Sequence, residues 1–434
     1  MLINFEFSNF RSFRDTATLS MEAIPAFKEL EDEAIIGTRS LRLLKSAVIY
    51  GANAAGKSNV FKAFHFMLWL LRNSATGLKP DEAISVQPYR LDTISEDAPS
   101  RFQITFVEGE EQFRYGFEVD RRAVRTEWLF VKSLDRQRAR ERSLFLREEE
   151  NIVARKPIRD SKALIDRTRN NALFLSVAAQ WDEPLLSMVN RAIGKFRAVS
   201  PIDDEWIYRN LSFDMVKSVQ MREQFLRLLT HADLGIVDLR ATEELLQEAE
   251  VEILSRMFPE KLREDAVESG KLLRRNVFTS HPMYRDDVPQ GVVQFELSDE
   301  SEGTKKYFAI LGPILSALAN GYTLFIDELE SRLHPVLTRA IVNLFHNSET
   351  NRLGAQLIFC THDTHLLSNR LLRRDQIWFA EKSDIGASTL YPLSDFKKVR
   401  KDDSLEKAYL EGRFGAVPLV EVPENLVLLP SGSE

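Results

Sequence analysis

The sequence feature that most restricts the possible folds is a short glycine-containing loop at residues 51–58, GANAAGKS. The residues before it, 47–50, form the apolar run AVIY, which is typical of a buried strand. The residues from Asn59 to about Arg72 have a helical pattern rich in Phe, Leu and Trp. A buried strand, a glycine loop and a helix in this order form the phosphate-binding loop, or P-loop, of nucleotide-binding α/β proteins.

The P-loop motif assigns a role to several of its residues. Gly51 and Gly56 let backbone N–H groups curl around phosphates, Lys57 reaches the β- and γ-phosphates, and Ser58 ligates magnesium. The loop therefore predicts binding of ATP with Mg²⁺. The residues of this segment that we predict to contact the nucleotide are Gly51, Ala52, Asn53, Ala54, Ala55, Gly56, Lys57, Ser58 and Asn59.

A second segment, TLFIDE at residues 323–328, consists of an apolar strand followed by two acids. In P-loop proteins an aspartate at such a strand end lies beside the magnesium. We predict this role for Asp327, and for Glu328 the catalytic role of polarising the attacking water. A strand that ends in solvated acids is common in α/β proteins, so the prediction depends on the P-loop being present.

Two further segments carry weaker signals. In SDESEGT, residues 298–304, Ser301 and Gly303 could present a hydroxyl and a backbone N–H to the nucleotide at a helix start. A Ser/Gly turn that only caps the helix explains this spacing equally well. In LIFCTHD, residues 357–363, His362 follows an apolar strand at the edge where ligands gather in parallel sheets. Without that context, a lone histidine is more often structural or solvated.

Composition limits the classes of protein to which the chain can belong. Its 434 residues, 44% hydrophobic and 28% charged, can bury a large core. A net charge of −7 argues against a general binder of polyanions. The single cysteine, Cys360, excludes an intrachain disulfide and fits a reducing cytosol. No apolar run reaches the length of a membrane span and no secretory signal is visible, so we expect a cytoplasmic protein without membrane contact.

One local basic stretch stands out against the negative net charge. If it formed a strand, its arginines would face one side and could bind phosphates, nucleic acid or an acidic partner. A solvated hairpin tip is the alternative interpretation. The arginines are Arg136, Arg138, Arg140 and Arg142.

The remaining patterns predict an α/β protein with a parallel core sheet and an antiparallel lobe. Alternation predicts a hairpin at 102–119, and apolar strands are expected at 322–326, 357–360 and 376–380. Residues 304–319 predict a helix that Gly312-Pro313 should kink or split. The expected domains are an N-terminal lobe of an ATPase head (1–180), a mostly helical insertion that includes 242–256 (181–285), a C-terminal lobe (286–396) and a tail (397–434).

The order of these motifs resembles the ABC-type ATPase heads of the RecF, SMC and OLD group. Asn53, Asn59 and the opening FSNFRSF fit that group. More closely, the chain is similar to the RloA-like prokaryotic AAA ATP-binding proteins. The shared segments are NNALFLSVAAQ (170–180), ESEGTKKYF (300–308), LFIDELESRLHP (324–335), CTHD (360–363), LRRDQIWFAEK (372–382) and LEKAYLEGRFGAVP (405–418).

The resemblance implies further roles and partners. Residues 301–304 stand at the signature motif, which meets the γ-phosphate across a head-to-head homodimer; they read SEGT where transporter ATPases have SGGQ. Glu330-Ser331 stand at the dimer-contact loop and His362 at the switch histidine. Members occur near restriction or phage-defence genes and pair with a separate effector, a TOPRIM-like protein or a nuclease. We therefore expect ATPase activity and no nuclease activity in this chain.

Three hypotheses follow from the sequence. The first is a dimeric Mg-ATP switch of a phage-defence system that gates an effector. The second is a RecF-like ATPase of DNA repair or recombination. The third is a scaffold that binds ATP without hydrolysing it. Salt-sensitive DNA binding would favour the second, and binding without turnover would favour the third.

Overall fold

The computed structural model describes residues 1–37, 41–135, 139–200, 205–245, 273–397, 399–400 and 403–418. Arg136 and Arg138 of the basic stretch lie outside these residues, as do residues 246–256 of the predicted helix and half of the tail.

Eighteen strands lie within the described residues. They are β1 (Leu2–Ser8), β2 (Ala17–Ser20), β3 (Ile35–Gly37), β4 (Arg42–Leu44), β5 (Ser46–Tyr50), β6 (Ser100–Glu108), β7 (Glu111–Val119), β8 (Val124–Ser133), β9 (Arg142–Glu148), β10 (Asn151–Ala154), β11 (Phe196–Val199), β12 (Asp238–Leu245), β13 (Leu273–Arg285), β14 (Val288–Glu296), β15 (Thr323–Ile326), β16 (Gln356–Cys360), β17 (Ile377–Lys382) and β18 (Ser388–Pro392).

Eleven α-helices lie in the same part of the chain. They are α1 (Glu31–Ala34), α2 (Lys57–Asn73), α3 (Thr93–Asp97), α4 (Ser161–Asp166), α5 (Phe174–Gln180), α6 (Pro184–Ile193), α7 (Glu205–Lys217), α8 (Val219–Thr230), α9 (Glu302–Asn320), α10 (Pro335–His346) and α11 (Leu405–Leu410). None of these helices is both long and apolar enough to cross a membrane.

The central sheet has six strands in the order β11-β15-β16-β5-β17-β18. All neighbouring pairs are parallel except β17 and β18. The strands β15, β16 and β5, which follow one another in the sheet, are fully buried, which is why their sequences are continuous apolar runs rather than alternating patterns. The carboxyl ends of these three strands share one edge, so the segments that follow them meet there.

A second sheet has seven antiparallel strands in the order β10-β9-β8-β7-β6-β1-β2. Its inner face and helix α2 share a core rich in phenylalanine, with Phe5 packed edge-on against Phe64 at 5.1 Å between ring centroids. The two sheets are also joined by the buried Gln356 of β16, whose amide nitrogen donates to the carbonyls of Leu2 and Leu44. The predicted α/β class, with a parallel core and an antiparallel lobe, is confirmed.

The prediction that 181–285 is mostly helical is wrong in part. The helices α6, α7 and α8 lie there, but so do β11, β12 and β13. Residues 242–245, at the start of the predicted helix 242–256, belong to β12. On that strand Glu243 lies opposite Arg275 of β13 and forms an ion pair with it, and Leu239 is buried against the helices. These long-range contacts outweigh the helical propensity of the local sequence.

Of the two outcomes expected at Gly312-Pro313, a kink or a split of the helix, the split is wrong, because α9 runs unbroken through both residues. The kink stays a prediction. Proline removes one N–H from the ladder and frees the carbonyl four residues earlier. The hydroxyl of Ser212 on α7 donates to the carbonyls of Phe308 and Ala309 and accepts from the N–H of Gly312. The neighbouring helix therefore replaces the hydrogen bond that proline cannot make.

Candidate nucleotide site

The P-loop joins β5 to α2 as the sequence predicts. Gly56, the residue before the helix, has φ of 114°, and a Cβ atom there would lie 2.6 Å from the Ser388 hydroxyl oxygen. Glycine is therefore required by both conformation and space. Ser388 also donates to the carbonyl of Ala55, and Asn59 donates to Ser12, which fixes the outer side of the loop. Ala54 lies at the exposed crest of the loop with φ of 62°.

Lys57 is buried and folded back on its own loop. Its ammonium group donates to the carbonyls of Gly51 at 2.8 Å and Ala52 at 3.0 Å. Burial lowers the pKa of Lys57, and the nearby acids Glu330 and Asp327 oppose that shift. A phosphate oxygen can replace one of these carbonyls as the acceptor, because its negative charge makes the stronger hydrogen bond with the ammonium group.

The sheet topology brings the other predicted site residues to this loop. Asp327 and Glu328 follow β15, His362 follows β16, and the P-loop follows β5, so all lie at one edge. The strand β16 lies between the other two. The charges of these groups act on one another at short range: Asp327 and Glu328 oppose the burial that lowers the pKa of Lys57, and the charge of Lys57 adds to the burial that lowers the pKa of His362.

Asp327 has the properties expected of a magnesium ligand. Burial raises the pKa of Asp327, a hydrogen bond from Ser58 opposes this shift, and Glu328 adds to it. One carboxylate oxygen, Oδ1, is buried without a hydrogen-bond partner among the described residues. Those residues contain no group of three or more His, Cys, Asp or Glu that could hold a metal alone. Mg²⁺ is usually held by one or two carboxylates together with phosphates, so the residues fit it.

Glu328 has an unusual backbone conformation. Its φ is 51°, in the left-handed region that non-glycine residues rarely adopt. Its carbonyl accepts from the N–H of Ser331, which closes a turn directly after the strand. A strained residue at a ligand edge is consistent with a functional constraint on where its side chain lies.

Glu330 lies in the candidate nucleotide site, next to His362. Its Oε1 accepts from the N–H of His362 at 2.5 Å, and its Oε2 is buried without a partner in the described chain. Burial raises the pKa of Glu330, and the hydrogen bond from His362 opposes this shift. The carboxylate thus fixes the backbone of His362 to the turn that follows β15.

His362 itself is exposed at the edge of the sheet. Burial of part of its ring lowers the pKa of His362, and the charge of Lys57 lowers it further. Its neighbour Asp363 accepts through its carbonyl from the hydroxyl of Tyr50, the last residue of β5. The histidine loop and the P-loop are therefore connected through one tyrosine.

The Ser301 turn makes its described contacts within α9 and with Arg332. Ser301 caps α9, its hydroxyl accepting from the N–H of Thr304. Glu302 pairs with Arg332 at 2.7 Å, and a Cβ atom at Gly303 would lie 3.1 Å from the carbonyl of Arg332. Within the described ranges no hydrogen bond joins residues 301–304 to the loop 51–58. The structure therefore brings together the predicted residues of 51–59, 327, 328 and 362, but not Ser301 and Gly303.

Two residues that the sequence did not assign to the site lie in it. Glu330 was placed only at a dimer contact, and Cys360 was considered only as a lone thiol. Cys360 is fully buried between Asp327 and Lys57; burial raises the pKa of its thiol well above the usual value. The signal for Glu330 is its spacing, three residues beyond Asp327, which returns the chain to the same edge after one turn.

A glycine loop opens a helix, and an acidic strand end lies at the same edge of a parallel sheet. These two features define the chain as a P-loop nucleotide-binding protein. Residues 46–368 match the family model described as "AAA domain, putative AbiEii toxin, Type IV TA system". The chain belongs to this family of AAA-type ATPases.

Comparison with solved structures finds similarity to the SmcHead bound to the C-winged helix domain of ScpA. The sequence identity is 14%, the match covers 94% of this chain and 99% of that chain, and the TM-score is 0.40. A search of the curated proteins finds no match.

Proposed function

We propose that the chain is a magnesium-dependent ATPase that acts as a dimeric switch and controls a separate effector protein. The observation that carries this proposal is the meeting of Lys57, Asp327, Glu328 and His362 at one edge of the parallel sheet. A cation, a magnesium ligand, an acid and a histidine around one phosphate loop are the groups that phosphoryl transfer needs.

Different residues bind the nucleotide and hydrolyse it. Backbone N–H groups of the loop and the Lys57 ammonium hold the phosphates. Ser58 and Asp327 would hold Mg²⁺, which supplies positive charge beside the phosphates when bound. Glu328 orients a water molecule and accepts its proton. His362, with its backbone held by Glu330, donates a hydrogen bond to the terminal phosphate.

The dimer is proposed because the Ser301 turn would complete the nucleotide site of a second subunit. The N-terminus of the 19-residue helix α9 is an anion-binding position by its free N–H groups and its dipole. In its own chain this turn binds Arg332 rather than the P-loop. In the head-to-head dimer that the ABC-type resemblance implies, each turn meets the nucleotide of the partner subunit.

The proposed biological role is the ATPase component of an antiphage-defence system. The family description names a toxin of a type IV toxin–antitoxin system, which supports a role in such loci. In this proposal ATP binding closes two heads, hydrolysis reopens them, and the closed state gates an effector with its own active site.

The test uses the purified full-length protein with ATP, with and without Mg²⁺. We expect ATP turnover that requires Mg²⁺, and a mass in light scattering that doubles when ATP and Mg²⁺ are added. DNA binding that weakens steeply with salt, with turnover that rises on DNA, would favour the RecF-like alternative. Tight ATP binding without turnover would contradict the proposed hydrolysis.

A further inference from the structure

The segment 403–417, which we name the C-terminal clamp, packs against the back of the nucleotide site. It consists of α11 and the glycine-containing turn that follows. Tyr409 packs against Tyr50, the residue before the P-loop, with ring centroids 5.7 Å apart. Tyr409 and Phe414 also stack on Phe379 of β17, each at 5.6 Å. The clamp lies beyond the residues 46–368 that match the family model.

Polar contacts fix the far end of the clamp. The Glu381 carboxylate accepts from the N–H of Ala416 at 3.1 Å and lies 3.1 Å from the Tyr391 hydroxyl, which also contacts the carbonyl of Phe414. Gly415 has φ of 65°, and a Cβ atom there would lie 2.8 Å from both Glu381 and Tyr391. The positive φ favours glycine, and the close approach of these two side chains leaves little room for a larger residue.

The near end of the clamp contacts the loop that carries His362. Glu406 Oε1 accepts from the Thr364 hydroxyl at 2.9 Å and lies 3.3 Å from Nδ1 of His365. The carbonyl of Asp403 accepts from the Asn369 amide at 2.8 Å. The short helical turn Thr364–Leu366 is thus attached to α11 at its start, two residues beyond His362.

Among the described residues, three side chains from other parts of the chain hydrogen-bond to residues 362–364 of the histidine loop. Glu330, after β15, binds the N–H of His362, and Tyr50, at the end of β5, binds the carbonyl of Asp363. Both belong to the nucleotide-binding core. Glu406 is the third group, and it binds the side chains of Thr364 and His365 from the C-terminal clamp.

We propose that Glu406 is a positioning residue for ATP hydrolysis: the C-terminal clamp holds the 362–366 loop so that His362 faces the terminal phosphate. This inference rests on the proposed ATPase function and assigns the clamp to the catalytic step rather than to nucleotide binding. The nucleotide contacts of the P-loop and Asp327 do not involve Glu406. A displaced His362 therefore slows the reaction and leaves the affinity for ATP unchanged.

The experiment compares kcat and KM for ATP in the full-length wild type, Glu406→Ala and Glu406→Gln. Glu406→Ala removes the acceptor for Thr364, and we expect kcat to fall by about tenfold with KM within about twofold, since small misplacements of a catalytic group are costly. Glu406→Gln keeps an oxygen acceptor and should recover most of the lost rate. Glu411→Ala is the matched control, because Glu411 follows the same helix and, among the described residues, its side chain pairs only with the exposed Lys407, at 3.8 Å.

Thr364→Val removes the hydroxyl that donates to Glu406 and leaves the side chain nearly the same size. This variant provides the same test if Glu406→Ala does not fold. A fall of kcat in both variants, absent in Glu411→Ala, supports the proposal. A wild-type kcat in a folded Glu406→Ala or Thr364→Val protein overturns it while the ATPase function stands. Loss of ATP affinity equal to the loss of rate also overturns it. If the wild-type protein does not hydrolyse ATP, both the proposed ATPase function and the proposed role of Glu406 fail.

Discussion

The Lys57 ammonium is bound to two carbonyls of the loop that it serves. These carbonyls replace the water that a buried cation would lose, and so the lysine is held inside the loop before any nucleotide arrives. An incoming phosphate offers a full negative charge in place of a carbonyl dipole, which makes a stronger hydrogen bond. The loop is therefore ordered for phosphate binding at little cost of reorganisation.

We predict that Lys57→Ala lowers the affinity for ATP by about 100-fold while the fold stays intact, because a charge-assisted hydrogen bond contributes roughly 1.5–3 kcal/mol. Titration calorimetry with ATP and Mg²⁺ measures the affinity, and circular dichroism checks the fold. Lys79→Ala is the control, because Lys79 is exposed. An unchanged ATP affinity in Lys57→Ala would show that the loop does not bind phosphate.

The residues of the site differ in how far the sequence could predict them. Gly56, Lys57 and Asp327 could be predicted because each role depends on a few neighbouring residues: a glycine turn, a helix start, a strand end. The role of Glu330 depends on a hydrogen bond to His362, 32 residues away, and that of Glu406 on a contact with Thr364, 42 residues away. No local pattern contains such contacts, and only the fold reveals them.

At the scale of elements, helix α10 ends in a buried polar cluster at the base of the P-loop strand. The Lys45 ammonium donates to the carbonyl of His346, the last residue of α10, at 2.8 Å. This places a positive charge at the helix C-terminus, where the helix dipole favours it. The Ser46 hydroxyl lies 2.8 Å from Nε2 of His346, and the Gln376 amide lies 3.3 Å from the same nitrogen. The cluster thus joins α10, β5 and the turn before β17.

The cluster predicts a pH dependence of stability. Burial, aided by the charge of Lys45, lowers the pKa of His346 to about 4 from the usual 6.5. Between these values the unfolded chain binds a proton that the folded chain does not, so stability falls as pH falls from 6.5 towards 4. At pH 5 the loss from this group is about 2 kcal/mol relative to pH 7. Urea unfolding at both pH values measures it.

The control for this prediction is His346→Gln. The glutamine amide can still form hydrogen bonds in the cluster, but it does not titrate in this range. The free energy of unfolding of the variant should fall less between pH 7 and pH 5 than that of the wild type. Equal losses in the two proteins would show that His346 is not the group responsible.

The elements that the sequence predicted correctly are those whose patterns reflect local burial. The fully apolar runs 47–50 and 357–360 could only be buried strands, and both are strands in the structure. The strand β12 was missed because TEEL is typical of a helix and only its pairing with β13 makes it a strand. The continuity of α9 was missed because it depends on Ser212 from another helix.

At the scale of the molecule, contacts between distant segments hold the nucleotide site together. The buried ion pair of Arg373 and Asp375 binds the segment near Ile24: Asp375 accepts from the N–H of Ile24, and Arg373 donates to the carbonyl of Glu29. The segment LRRDQIWFAEK thus ties the N-terminal segment to β17. The boundaries of the expected domains at 180, 285 and 396 stay predictions.

A shared active site predicts that two inactive variants restore each other. Lys57→Ala removes one half of the site, and Gly303→Glu blocks the other, since even a Cβ atom there approaches the carbonyl of Arg332. An equimolar mixture should recover up to about a quarter of wild-type turnover, because half of randomly formed dimers contain one intact site. A mixture that stays inactive, although heterodimers are shown to form, would contradict the shared active site.

The switch itself is tested most directly by Glu328→Gln, measured by light scattering and by ATP turnover in the presence of Mg²⁺. Glutamine keeps the size and the carbonyl acceptor of Glu328 but cannot take a proton from water, so turnover should fall on the order of 100- to 10,000-fold. Asp327, Ser58 and Lys57 are unchanged, so ATP should still bind and the closed dimer should accumulate. We predict a stable dimer with ATP and Mg²⁺, and a monomer without ATP. A variant that binds ATP normally yet stays monomeric where the wild type dimerises, or that hydrolyses ATP at the wild-type rate, would contradict the account.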